Sequence, residues 1–352
     1  MNNISWQTAQ ELLFSRALTI GTETLQLSKT NGRRLAQDVL ADRDFPPTNR
    51  SAMDGFALRC SDLNKFSLSQ GLHIAGESSA GLPYSKPIEP GSCVRIMTGA
   101  IIPEGADTVV RQEDVKEENC KIFLSIKPEA GENIRRKGEE ARSGQIILRT
   151  GSFLTPVRIA ICASVGITEL KIFKNPRVAV ICNGNEISNE KEITPEYLRD
   201  TNGPLIVSRL QKEFEFPVSH SILPDDQAIL RNSLINALEF NDVVIIAGGV
   251  SVGKYDLVPG IIKDIGAEII FHKLSIKPGK PQLYANFAGK HIFGLPGNPL
   301  GVLSGLHLFV LPMLRIMTGA NPENAFRMLR IPFFGTTINQ RNVTEFRLGR
   351  LA

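Results

Sequence analysis

Between residues 177 and 300 the chain alternates short β-branched runs with helical stretches, and this alternation constrains the fold more than any other feature. RVAVIC (177–182), PVSHSIL (217–223) and DVVIIAGG (242–249) read as strands, with helices expected at 202–214 and 227–240. Further strands are expected at 268–274, 282–287 and 291–295. Strands separated by helices of this length need crossover connections, which predicts a doubly wound parallel sheet covered on both faces. In such α/β sheets ligands bind beyond the carboxyl ends of the strands. The loops to inspect are therefore NGNE (183–186), PDD (224–226), GGVSVGKYD (248–256), KLSIKPGKP (273–281) and GLPGNP (294–299), the last carrying Pro296 and Asn298.

Gly248, Gly249 and Gly253, with Ser251 between them, let backbone N–H groups approach an anion and form a phosphate nest. Lys273, Lys277 and Lys280 can neutralise phosphate charge from the neighbouring loop. Glu186, Asp225 and Asp256 add carboxylates, which would repel a bare phosphate unless a divalent cation such as Mg²⁺ bridges the two. A single Gly-Gly or a single loop lysine is more often structural or solvated than functional. Five successive strand-end loops with complementary chemistry point to a site. The isolated histidines (His73, His220, His272, His291, His307) lack metal-site spacing and read as structural, as do the five dispersed cysteines.

At 352 residues the chain predicts two or three domains. Helices are expected at 8–17 and 32–41, then a β-rich stretch with strands such as SCVRIM, DTVVRQ and KIFLSI, closed by the charged segment 132–145. Helix-like spacing returns at 159–165. The expected division is a discontinuous helical linking domain (1–43 and 141–175), a β-rich module (44–140), an α/β domain (176–326) and the start of a further β-domain (327–352). A net charge of +4 with scattered basic residues gives no reason to expect nucleic acid. Residues 299–317 are apolar, but Gly301, Gly305, His307, Pro312 and Arg315 favour a buried helix over a membrane span. The amino terminus has no signal-like pattern, so a cytoplasmic location is expected.

Several long strings then match one family in order: FPPTNRSAMDGFA, AGESSAG, RIMTGAIIPEGADTVV, NIRRKGEE, CNGNEI, RDTNG, GGVSVGKYD, KLSIKPGKP and GLPGNP. On these the chain strongly resembles the MoeA family, the molybdopterin molybdenumtransferases, which includes the E domain of gephyrin. The resemblance covers the chain from its first helix to about Gly319. It implies insertion of molybdate into adenylylated molybdopterin, with cleavage of the pyrophosphate and release of AMP. It also implies a homodimer in which the β-rich module of one subunit faces the α/β domain of the other, and contact with the molybdopterin adenylyltransferase is a further expected partnership. On that scheme Asp54, Thr98, Arg135 and Glu140, the latter two as ligand-binding residues, join Glu186, Asp225, Asp256, Lys273 and Lys277. Glu186 and Asp256 would position the metal.

Three departures from the family pattern stand out. Glu140 occupies a position where the family usually has Asp, Leu348 stands where an arginine is expected, and the sequence stops at Ala352 as a complete small β-domain would begin. Two other readings compete. A molybdopterin adenylyltransferase shares the α/β fold, but it carries a Gly-Gly-Thr-Gly loop and lacks the 44–140 module. A non-catalytic pterin-binding scaffold or degenerate paralogue would not need a charged, metal-ready cleft.

Overall fold

The computed structural model describes residues 3–64, 70–214, 218–251, 256–329 and 343–349. The chain divides into two compact units, one of residues 38–149 and 162–166, the other of residues 1–37, 150–161 and 167–352.

The first unit is built on a six-stranded sheet of β1 (Gly55–Leu58), β2 (Leu72–Ser78), β3 (Ser92–Ile96), β4 (Thr108–Arg111), β5 (Val115–Glu118) and β6 (Lys121–Leu124). The strands lie in the order β4-β1-β3-β2-β6-β5, and all pairs are antiparallel except β2 with β3. Strand β1 is buried on both faces. Phe56 and Leu58 enter a cluster with Leu72, Cys93, Val110 and Ile122, while Ala57 packs on the opposite side with Ile96 and Val109, as the period of two requires. Beside this sheet Arg50–Ser51 pairs with Ile134–Arg135, so the FPPTNRSAMDGFA string lies against the NIRRKGEE string.

The second unit contains β7 (Val178–Asn183), β8 (Val218–Leu223), β9 (Val243–Ala247), β10 (Glu268–His272), β11 (Leu283–Phe287) and β12 (Lys290–Leu295). Their order is β8-β7-β9-β12-β11-β10. The first four are parallel, whereas β11 runs antiparallel to both of its neighbours. The expected parallel sheet is thus found in β8-β7-β9-β12, and the antiparallel addition has a reason of length. Residues 273–282 are too few for a crossover, so β10 and β11 must be antiparallel. Ala288 and Gly289, both with positive φ, then turn the chain tightly into β12.

Val178, Val180 and Cys182 face one core, shared with helices α1 (Trp6–Phe14) and α2 (Asn202–Glu213); Ala179 and Ile181 face the other, shared with α3 (Gln227–Phe240) and α4 (Val258–Asp264). All six residues of β7 are buried, so the strand reads as an unbroken apolar run. The helical run Pro299–Met317, which begins with α5 (Pro299–Gly305), is long and apolar enough to cross a membrane, but most of it is buried inside the protein. This agrees with the expectation of a buried helix.

Of the stretch expected as a linking domain, residues 1–37, 150–161 and 167–175 group with the α/β unit, and residues 38–43, 141–149 and 162–166 with the β-rich unit. Trp6, Ala9 and Leu13 enter the α/β core, and Gln10 Nε2 donates to the Leu308 carbonyl at 2.6 Å. The helix expected at 32–41 is absent. Leu35 bridges to Ile172, and Val39–Leu40 pairs with Ile146–Leu148; backbone partners distant in sequence outweigh a weak local helical pattern. Near the carboxyl end Thr344–Glu345 pairs in parallel with Ile276–Lys277. Most of the β-element expected after residue 327 lies outside the described residues.

Candidate functional site

The chain leaves β7 for β8 on one side and returns to β9 on the other, which makes a topological switch point at the carboxyl ends of β7 and β9. A cavity of about 450 Å³ opens there, lined by Glu186, Asp225, Asp256, Gly248 and Gly249. Five expected site residues from three loops thus converge. The organiser is Asn183, the last residue of β7 and only 5% exposed. Its Nδ2 donates to Asp225 Oδ1 at 2.8 Å, and the Asn185 amide donates to the other oxygen at 3.3 Å. The Asn185 side chain accepts from the Asp225 amide at 3.0 Å, which locks the first two loops together.

The two glycines have a steric reason to be glycine. Gly248 (φ +109°) and Gly249 (φ +61°) occupy left-handed backbone, and a Cβ on either would lie 2.4 Å from the Asn183 carbonyl oxygen or 2.6 Å from its Nδ2. Past them, the Ser251 amide donates to Asp256 Oδ1 at 3.0 Å, so that N–H closes its own loop. Gly253 lies outside the described residues.

Among the described residues, two buried acceptors on the cavity wall, Asn183 Oδ1 and Asn202 Oδ1, have no hydrogen-bond partner, and Asp200 Oδ2 lies 2.9 Å from His220 Nε2. Asn202 spends its Nδ2 on the Gly297 carbonyl at 2.7 Å. Buried acceptors without donors are uncommon in folded proteins. Together with three carboxylates they give a cavity rich in oxygen acceptors, suited to a hard cation or to a ligand bearing N–H groups. The residues present therefore fit Mg²⁺, with Glu186 and Asp256 as its expected ligands and Asp225 held beside them.

The lysines are arranged differently. None of Lys273, Lys277 and Lys280 lines the cavity, although their loop leaves the sheet at the same end. Lys273 adopts positive φ (+72°), and Lys277 Nζ donates to Glu345 Oε1 at 3.3 Å. Pro296 is buried beneath Gly301, where a Cβ would come within 2.5 Å of its ring. Asn298 caps α5, accepting from the Leu300 amide at 2.9 Å.

In the β-rich unit Asp54 and Thr98 meet. Asp54 Oδ1 accepts from the Thr98 amide at 2.6 Å and from its hydroxyl at 2.7 Å, and these bonds, the amide first, hold the Asp54 carboxyl below its ordinary range. Arg135 and Glu140 form an ion pair, with Arg135 also 3.8 Å from Glu139. They line a cavity of about 380 Å³ with Arg43, Phe45 and Arg50. The Gly99 amide donates to the Ser51 carbonyl at 2.8 Å, and Ser51 stands opposite Ile134, so the two pairs flank the same short ribbon.

Sequence reasoning missed Asn183, Asp200 and Asn202. The signal for Asn183 was a polar residue closing an otherwise apolar strand, and that for the other two was their place in the RDTNG string before a helix.

Two family models match the chain: "MoeA N-terminal region (domain I and II)" over residues 4–166 and "Probable molybdopterin binding domain" over residues 179–316. The molybdopterin molybdenumtransferase of Haemophilus influenzae is 37% identical over 300 residues, covering 85% of this chain and 73% of that protein. The chain belongs to the molybdopterin molybdenumtransferase family. The family member of the same name from Nostoc sp. is 34% identical over 304 residues, 85% of this chain and 70% of the relative. A crystal structure of the molybdopterin biosynthesis MoeA protein from Pyrococcus horikoshii superimposes with a TM-score of 0.78 at 30% identity, over 92% of this chain and 81% of that one. As in that family, an α/β domain and a β-rich region together form one multidomain fold.

Proposed function

We propose that this chain inserts molybdate into adenylylated molybdopterin, cleaving the pyrophosphate link in a Mg²⁺-dependent step and releasing AMP. The observation that carries the reading is the acceptor-rich cavity at the switch point, where Glu186, Asp225 and Asp256 surround the glycine turn of β9. Membership of the molybdenumtransferase family supports the substrate class. When bound there, Mg²⁺ would offset phosphate charge and polarise a phosphoryl oxygen.

The chain's own residues supply the rest. Glu186 and Asp256 hold the cation on the cavity wall, while Asn183 keeps the Asp225 carboxylate in a single orientation. Asn183 Oδ1 and Asn202 Oδ1 stand ready to accept from N–H groups of a pterin. Gly248 and Gly249 keep side chains away from the strand end, so that the ligand can approach the backbone. Lys273, Lys277 and Lys280 serve as phosphate partners from the adjoining loop. In the β-rich unit, Asp54 with Thr98 places molybdate or the attacking oxygen, and Arg135 with Glu140 helps bind the ligand. We assign these four to the second subunit of a homodimer. Five free cysteines suit the reducing cytoplasm.

Incubation with adenylylated molybdopterin, Mg²⁺ and molybdate is expected to yield AMP, and Asp256→Asn to slow its release about a hundredfold or more, as loss of a metal ligand would. AMP release by the variant at the parental rate would refute the metal role. ATP consumption with free molybdopterin would instead indicate the adenylyltransferase, and binding without turnover a scaffold.

A further inference from the structure

Three potential ligands of a softer metal meet at the wall of the same cavity. They are Cys182 near the end of β7, Asp200 just before α2 and His220 within β8, and their sulfur, oxygen and nitrogen atoms all lie within 4.8 Å of one another. The Asp200 side chain is 2% exposed and that of His220 22%. His220 Nε2 stands 2.9 Å from Asp200 Oδ2. Three ligand-type atoms this close together, from three different segments, are positioned to converge on one centre. The remaining oxygen, Asp200 Oδ1, accepts from the Gly203 amide at 2.9 Å, which fixes the carboxylate in place.

We propose that Cys182, Asp200 and His220 form a zinc-class metal site, distinct from the Glu186, Asp225 and Asp256 carboxylates. The donor set chooses the metal. Thiolate and imidazole suit Zn²⁺ or Co²⁺, whereas Mg²⁺ takes oxygen ligands. Bonds of about 2.0 to 2.3 Å in a tetrahedral centre put ligand atoms roughly 3.3 to 3.7 Å apart, so the trio needs only small side-chain rotations to close on the ion. A thiolate and a carboxylate also balance the charge of a divalent ion, which matters in a buried place. Three protein ligands leave one position free, the pattern of an open zinc site. Cys182 and Asp200 line the cavity, so that position borders its contents. The inference does not depend on the proposed transferase reaction, since metal uptake requires no substrate.

The test is titration of the EDTA-treated full chain with Co²⁺, followed by displacement with Zn²⁺. Uptake of one equivalent with thiolate-to-cobalt charge-transfer absorption is expected, unaffected by excess Mg²⁺. Cys182→Ser should abolish that absorption, and His220→Gln should weaken Co²⁺ binding roughly tenfold or more. Zn²⁺ should raise the thermal midpoint of the parent by more than that of His220→Gln. That comparison also covers the case in which Cys182→Ser folds poorly. Failure to take up a stoichiometric equivalent would overturn the proposal. So would charge-transfer absorption that survives in Cys182→Ser, because one of Cys60, Cys93, Cys120 or Cys162 would then be the ligand.

Discussion

Gly203 shows how tightly single residues are specified around the cavity. A Cβ there would lie 2.1 Å from His220 Nε2 and 2.3 Å from Asp200 Oδ2, so α2 reaches this pair only because its second residue has no side chain. Gly203→Ala is expected to cost about 1 to 3 kcal/mol through overpacking, read as a lower urea midpoint at unchanged m-value; an unaltered midpoint would show that the pair moves aside freely. His291 makes a second residue-level case. It is 3% exposed, and Tyr284 Oη lies 2.8 Å from its Nδ1. Burial lowers its pKa to about 4, with Asp242 opposing the shift. The folded value lies below the unfolded one, so this contribution is complete above about pH 6.5 and is lost as pH falls from there through about 4, on the order of 3 kcal/mol in all. His307 is lowered in the same direction, first by burial. Unfolding free energies at pH 7 and 4.5 should converge in His291→Asn relative to the parent, and equal slopes in the two proteins would sink the assignment.

At the level of elements, the sequence was most legible where periodicity was strong and crossovers were long. The helix expected at 227–240 is found at Gln227–Phe240, and each strand expected between 177 and 295 lies within two residues of its place at either end. Local pattern failed at 32–41, where pairing partners more than a hundred residues away decide the conformation. It also could not foresee that β11 reverses, because apolar content says nothing about direction. The site was legible as loop chemistry: acids and glycines from three loops do line one cavity. The position of the lysines outside that cavity was not legible, since charge type does not tell which carboxylate a long side chain will choose. Glu345 holds Lys277 at 3.3 Å, and hydrogen bonds from Arg347 first and Lys277 second keep that carboxyl low. If Lys277 serves phosphate, Glu345→Gln removes its competitor. A several-fold lower KM for the adenylylated ligand with kcat retained is the expected outcome; an unchanged KM would separate Lys277 from the phosphate.

For the whole molecule, the proposed assignment of Asp54 and Asp256 to different subunits of one site makes a quantitative demand. Asp54→Asn and Asp256→Asn should each be nearly inactive alone. Mixed in equal amounts after reversible dissociation, they form hybrid dimers in half of the population, each with one intact site of two. Recovery of about a quarter of parental AMP release is therefore expected. No recovery, despite subunit exchange demonstrated by native mass spectrometry, would mean that both residues act within one chain.

The reversal of β11 has a consequence for how the family can diversify. Because β10 arrives at the cavity end and β11 departs from it, residues 273–281 begin and finish on one rim of the sheet, with no helix to carry them back. Leu274 and Ile276 anchor this segment in the core, so its exposed positions can vary without disturbing the winding of the parallel strands. Residues on this strap can therefore change while the acidic wall at the ends of β7 and β9 stays fixed.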